Sequence, residues 1–219
     1  MPQRKLVIWG ASGQGRVVAD IVRLRGEYEL VGFLDDLNPE RAGTDFCEAP
    51  ILGGREQLDV LRDRGVGAFL LGFGNSAMRL TLAELVRCKG FELATAFHPH
   101  AVIAAGVPIG DGTVVRAGAV IDPGVTLGQN VIIGPGACVG HDSTLADGVR
   151  ISVGASIAGT VSIGRASMIG AGAAIRNGVR IGEHVLVGAG AAVVRDIPDG
   201  VVAFGNPARV IRAITPADY

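Results

Sequence analysis

From Ile103 to Val193 every sixth residue is Ile, Leu or Val. Four residues after each of these stands a small or β-branched residue, from Val107, Thr113 and Ala119 through to Ile197. A helix repeats its apolar positions every 3.6 residues and a plain strand every two, so neither explains the pattern. A six-residue period predicts a parallel β-helix instead. Each hexapeptide supplies a short strand and a turn, three hexapeptides close one triangular coil, and the aliphatic side chain points inward. The repeat is long enough for about five coils, and no coil hides its apolar face without its neighbours. Glycine and asparagine at the corners supply the positive φ that tight turns need.

Before the repeat the pattern changes. Residues 4–10 read as a buried strand, Arg16–Arg25 as a helix with Val17, Val18, Ile21, Val22 and Leu24 apolar, and Glu29–Leu34 as a second strand. A helix is predicted over Glu56–Arg64, a strand over Gly67–Gly72, a helix over Ser76–Lys89 and a last strand over Glu92–Phe97. Strands that alternate with helices predict a small α/β domain built on a Rossmann-like parallel sheet. The expected organisation is an α/β domain over residues 1–98 and a β-helix with a closing segment over 99–219, divided near His98-Pro99-His100.

Composition narrows the function classes. A formal net charge of −1 gives no support to a nucleic-acid or membrane-surface partner. No apolar run approaches the ~18 residues that suggest a membrane span. The opening MPQRKLVIWGASG enters a strand at once, without the apolar core and cleavage site of a signal peptide. Cys47, Cys88 and Cys138 are scattered and odd in number, which fits a reducing cytoplasm and no metal or disulfide framework.

Three turns in the α/β half carry candidate chemistry. Gly10-Ala-Ser-Gly-Gln-Gly15 joins a strand to a helix, where bare backbone N–H groups and the positive helix end suit an anionic ligand such as a phosphorylated small molecule. A tight turn without a ligand is the other reading. The spacing Gly-x-x-Gly-x-Gly is not the dinucleotide fingerprint, which argues against a nicotinamide-dependent reductase. Asp35 and Asp36 end the second strand, where open α/β sheets place ligands, and they suit a ribose, a base edge or a sugar amine if they are not simply solvated. Gly74-Asn75-Ser76, with Arg79 beyond, forms another strand-to-helix turn, to be read as a contact to the same ligand or as an Asn helix cap.

Within the repeat, the hexapeptide Val139-Gly-His-Asp-Ser-Thr144 sets His141 and Asp142 at a corner, facing out of the coil. A solvated pair is the ordinary reading of such a corner. A histidine beside a carboxylate also offers a base near neutral pH and a group that fixes its tautomer. His98 and His100 are expected in the boundary turn, and His184 at a solvated corner. His141 and His184 stand more than two coils apart, too far for the three-histidine zinc site that some β-helical enzymes carry. No metal is expected.

The repeat resembles the hexapeptide-repeat acyltransferases. Together with Gly10–Gly15, Phe33-Leu-Asp-Asp36, Gly74-Asn75 with Arg79, and His98-Pro99, it makes nearly the whole chain resemble the PglD/NeuD-type bacterial sugar acetyltransferases. The resemblance implies a left-handed coil and a homotrimer with acetyl-CoA between neighbouring β-helices. It also implies a sugar nucleotide lying along Gly10, Ser12, Gly13, Gln14, Gly74 and Asn75, with Asp35 and Asp36 at its nucleoside end. His141 would be the general base and Asp142 its orienter. Ala171 and Ala189 would border the pantetheine arm, and Asn206, Pro207 and Arg209 the coenzyme's adenosine end.

Two positions depart from the family. Gln14 stands where a histidine is common and cannot titrate near neutral pH. Arg150 also replaces a histidine, and is read as a phosphate ligand of the coenzyme or sugar nucleotide, or as a surface arginine. The implied activity is acetyl-CoA-dependent N-acetylation of a nucleotide-linked amino sugar, by direct transfer, for a cell-surface glycan or lipopolysaccharide precursor made in the cytoplasm. O-acetylation of a sialic-acid-like sugar or polysaccharide precursor uses the same residues. A nucleotide-sensing β-helical scaffold is the non-enzymatic reading.

Overall fold

The structure is a computed structural model that describes residues 3–218. Met1, Pro2 and Tyr219, at the outer ends of the two expected domains, lie outside the described residues. The chain divides into two compact units. One takes the chain up to Gly74 together with Thr81–Pro99, and the other takes Asn75–Leu80 with the chain from His100 onward. The start of the third helix therefore groups with the repeat rather than with the α/β unit.

Up to Phe97 the chain runs β1 (Arg4–Trp9), α1 (Gly13–Arg25), β2 (Tyr28–Leu34), β3 (Asp45–Phe46), β4 (Ala49–Pro50), α2 (Leu58–Asp63), β5 (Ala68–Leu71), α3 (Ser76–Cys88), β6 (Glu92–Leu93) and β7 (Ala96–Phe97), all in the first unit except the start of α3. Four strands form a parallel sheet in the order β2-β1-β5-β6. The inner strands are nearly continuous apolar runs because both of their faces are covered. On one face Val7, Trp9, Phe69 and Leu71 pack with Leu58 and Leu61 of α2 and with Leu82 and Val86 of α3. Strand order reverses between β1 and β5, so the loops after these two strands open at one crevice.

Several boundaries move from the expectation. α1 begins at Gly13 rather than Arg16, because Ser12 caps it in an extended conformation. The helix expected from Glu56 starts as a 3-10 turn over Arg55–Gln57, and the strand expected over Glu92–Phe97 is split into β6 and β7. The β3–β4 hairpin is too short to show a period. Its turn residues Cys47 and Glu48 adopt positive φ without being glycine or asparagine, which hides it from turn rules.

The second unit is a parallel β-helix. Its two-residue strands stack across 18 residues, so Val120 pairs with Val102 and Cys138, and Ile121 with Ile103 and Val139. One face holds six such strands, from Val102–Ile103 to Ala192–Val193, giving about six turns, close to the expected five. Pairing also continues past the repeat. Ile197 bridges to Ile181, and Val202 and Ala203 pair with Leu186 and Val187. The inward aliphatic residues from Val115 to Val193 are buried.

Every sixth residue from Gly106 to Gly190 has positive φ, including Asn130, Asp142, Thr160, Ala166 and His184. The glycines that follow the inward aliphatic residues serve a different need. A Cβ on Gly134 would come within 2.6 Å of the Ser152 carbonyl carbon one coil away. The chain closes with an antiparallel hairpin, Val201–Gly205 against Ala208–Ala213, which turns at the cis Asn206-Pro207 bond. No described helix is long and apolar enough to cross a membrane.

Candidate active site

His141 and Asp142 lie at an outward corner of the β-helix, and both are exposed. Asp142 takes the positive φ that this corner requires, at 57°. That twist turns its carboxylate back toward the preceding ring, and Asp142 Oδ2 stands 2.9 Å from His141 Nδ1. A carboxylate only accepts, so Nδ1 carries the proton and the lone pair lies on Nε2. The arrangement can take a proton at Nε2 from an incoming group.

The pair lies between two glycines that the same stacking supplies. A Cβ on Gly124, one coil before Asp142, would fall 2.3 Å from Asp142 Oδ1. A Cβ on Gly159, one coil after His141, would fall 2.5 Å from His141 Nε2. Reading the motif alone missed both glycines. The signal was available, since residues 18 positions apart become neighbours in the coil. Ser143 follows the pair but points inward and is buried, and its hydroxyl donates to Ala158 O and accepts from Val161 N, both at 3.1 Å.

In the α/β unit the glycine turn is more self-contained than expected. Ser12 Oγ accepts from the N–H groups of Gln14 and Gly15 at 3.2 and 3.3 Å and donates to Gly72 O at 2.6 Å. Two of the N–H groups expected to be bare are thus capped. Gly15 serves close approach, since a Cβ there would lie 2.0 Å from Gly10 O. Gly13 is exposed, with open space where a Cβ would be. Gln14 Nε2 is buried without a hydrogen-bond partner among the described residues, a donor that a bound molecule can satisfy.

The two aspartates are neither solvated nor free. Asp35 is buried; Oδ1 accepts from the N–H groups of Leu37 and Asn38, and Oδ2 from Arg41 Nη1 at 2.8 Å. Arg41 also donates to Ala11 O at 3.0 Å, tying the loop after β2 to the glycine turn. Asp36 accepts from Trp9 Nε1 at 3.2 Å, from Arg55 N at 2.7 Å and from Arg55 Nη2 at 3.0 Å. Their first task is to shape the loop. Arg41 was not legible because its role depends on a loop conformation that no period encodes.

Asn75 is the helix cap, with Oδ1 accepting from Met78 N at 2.9 Å, and Gly74 precedes it. Arg79 is not the ligand contact that its sequence position suggests. It is buried and donates to backbone carbonyls of the β-helix. Burial, with Arg150 nearby as the second cause, pushes its guanidinium down to about 9, so it stays charged at neutral pH. Burial and Arg150 also lower Arg116. Arg150 is half-buried on the outward side of a coil strand, paired between Ile132 and Met168. Ala171 and Ala189 occupy matching corners on successive coils, the first half-buried and the second exposed. Asn206 and Pro207 form the turn of the closing hairpin, and Arg209 Nη1 donates to Ala208 O at 3.0 Å.

Comparison with known proteins covers both units. Residues 5–86 match the family model of the PglD N-terminal domain, and residues 103–197 that of the GMPPB C-terminal domain. The UDP-N-acetylbacillosamine N-acetyltransferase of Bacillus subtilis (strain 168) is 34% identical over 115 residues, which cover 52% of this chain and 52% of that protein. The match therefore spans about half the length of that curated relative. The acetyltransferase domain of PglB from Neisseria gonorrhoeae, solved with acetyl coenzyme A, superposes with a TM-score of 0.89 at 38% identity, covering 96% of this chain and 100% of that one. PerB from Caulobacter crescentus, solved with CoA and GDP-perosamine, superposes with a TM-score of 0.90 at 35% identity, covering 94% of this chain and 97% of that one.

Proposed function

The chain belongs to the PglD/NeuD-type family of acetyl-CoA-dependent sugar acetyltransferases, and from that premise we propose that it acetylates the amino group of a nucleotide-linked amino-deoxy sugar. The observation that carries the reading is the exposed His141–Asp142 pair, with Nδ1 and Oδ2 2.9 Å apart, which leaves Nε2 as the basic nitrogen. The relatives' names favour an amine acceptor: one is called an N-acetyltransferase, and another was solved with GDP-perosamine.

The proposed chemistry is direct transfer. Acetyl-CoA supplies an activated thioester. His141 Nε2 takes the proton that the amine releases as its nitrogen bonds to the acyl carbon, and gives that proton to the departing thiolate as the C–S bond breaks. Asp142 holds Nδ1–H and stabilises the imidazolium that forms in between. No acyl-enzyme is needed, because the hydroxyl of Ser143 is buried and already engaged at both ends. Ala171 and Ala189 leave room for a slender pantetheine arm. Arg150 would pair with a phosphate, and Asn206, Pro207 and Arg209 would flank the adenosine end.

In the α/β unit the sugar nucleotide would lie along Gly10, Ser12, Gly13, Gln14, Gly74 and Asn75. Gln14 Nε2 offers it a donor. Asp35 and Asp36 would act on its nucleoside end mainly by fixing the loop that borders it. A homotrimer with acetyl-CoA between neighbouring β-helices, working in the cytoplasm on a glycan precursor, completes the proposal.

A panel of UDP- and GDP-sugars, each with and without a free amine, assayed for CoA release, tests it. Release that requires the amine is the expected result. Release with hydroxyl-only sugars would assign O-acetylation, and no release with any acceptor, together with no thermal shift on adding acetyl-CoA, would assign a scaffold.

A further inference from the structure

The His141 ring rests on a floor that the next coil builds. Gly159 is buried under it, and the ring atoms nearest a Cβ at residue 159 would be Nε2 at 2.5 Å, Cε1 at 2.7 Å and Cδ2 at 2.8 Å. A methyl group at residue 159 and the ring in its present place are mutually exclusive. Gly159 does not have the positive φ that would itself demand glycine, so the missing side chain is explained by space for the ring.

The floor is held by side chains that the proposed reaction does not otherwise use. Asn177, one coil further on, donates from Nδ2 to Gly159 O at 2.6 Å and to Thr160 Oγ1 at 3.1 Å. Thr160 Oγ1 donates to the same carbonyl at 2.7 Å, and Thr160 N donates to His141 O at 2.7 Å. Thr160 stands at a corner with φ 56°, a conformation unfavourable for a β-branched residue, so its place depends on these bonds. The contacts thus run across three successive coils: His141 on the first, Gly159 and Thr160 on the second, and Asn177 on the third.

We propose that Gly159 and Asn177 are positioning residues for the His141 imidazole: the bare α-carbon of Gly159 seats the ring in the plane that reaches Asp142, and the Asn177 amide fixes that seat. This rests on the reading of His141 as the base. The bonds around residues 159, 160 and 177 lie on the outside of the coil, while the aliphatic core of the coil is elsewhere. Their loss therefore alters where the ring points more than whether the coil forms.

The test compares Gly159→Ala, Asn177→Asp and Asn177→Gln with His141→Asn, in the full chain, using acetyl-CoA and the acceptor found active in the panel. Gly159→Ala is expected to lower kcat by about 100-fold, the scale of a misplaced catalytic group, with KM for acetyl-CoA within about 2-fold. Asn177→Asp, which keeps the shape and removes both donors, is expected to lower kcat by about 10-fold, and Asn177→Gln to recover part of it. The His141 Nδ1–H resonance in nitrogen-edited NMR spectra is expected to shift in Gly159→Ala and Asn177→Asp, a change that loss of stability alone does not produce.

Unchanged kcat and an unchanged resonance in both variants, with His141→Asn inactive, would overturn the positioning role and leave the base intact. Full turnover in His141→Asn would remove the base itself. If Gly159→Ala does not fold, Asn177→Asp decides by the same two readouts.

Discussion

Arg79 Nη2 donates to the carbonyl oxygen of Gly148 at 2.9 Å and to that of Asn130 at 3.2 Å, with the side chain 1% exposed. Both carbonyls belong to corner residues with positive φ. A buried guanidinium here closes two acceptors that the coil's own pairing does not use. Arg79→Ala is expected to leave both acceptors unpaired and to open a cavity, costing about 2–4 kcal/mol. Denaturant or thermal melting measures this, and Arg79→Lys is expected to recover less than half, because one ammonium lacks the fork.

Asp35 makes a comparable scaffold in the α/β unit, accepting from Arg41, Leu37 and Asn38. Asp35→Ala is expected to lower stability by about 1–3 kcal/mol, a range that allows for the partial exposure of Arg41. Steady-state kinetics is expected to show the larger rise in KM for the sugar nucleotide, with KM for acetyl-CoA nearly unchanged. Equal rises in both would mean that the loop does not border the sugar-nucleotide site.

Ser143 separates direct transfer from an acyl-enzyme. Its hydroxyl joins Ala158 O to Val161 N inside the coil. Ser143→Ala is expected to cost about 1–3 kcal/mol by leaving Val161 N unpaired, while kcat stays within about 3-fold. Intact-protein mass spectrometry after mixing with acetyl-CoA alone is expected to show no acetyl adduct on the wild-type chain. A trapped adduct that disappears in Ser143→Ala would contradict direct transfer.

The β-helix was legible because one rule repeats: an inward aliphatic residue every six positions leaves no helix or plain strand as an alternative. The pairing beyond the repeat was not, because Ile197, Val202 and Ala203 pair with Ile181, Leu186 and Val187, 16 residues earlier instead of 18. The His141–Asp142 pair was visible as a motif at a corner. Its glycine seats become visible once the 18-residue stacking is applied to the motif. The α/β unit was harder to read. Ser12 caps its own helix, and Asp35 and Asp36 are consumed by Arg41, Trp9 and Arg55. Residue type and position at a strand end fix where a group stands, but its partners depend on loop conformations that leave no periodic trace.

The most direct test of the central claim is the turnover of His141→Asn beside its affinity for acetyl-CoA. Asparagine keeps a polar side chain at the corner and removes the titratable nitrogen. The expected result is a fall in kcat of about 100-fold or more, the upper part of the range for losing a general base, with the dissociation constant for acetyl-CoA from calorimetry within about 2-fold of wild type. A variant that turns over at the wild-type rate, with the fold intact, would contradict the role assigned to His141.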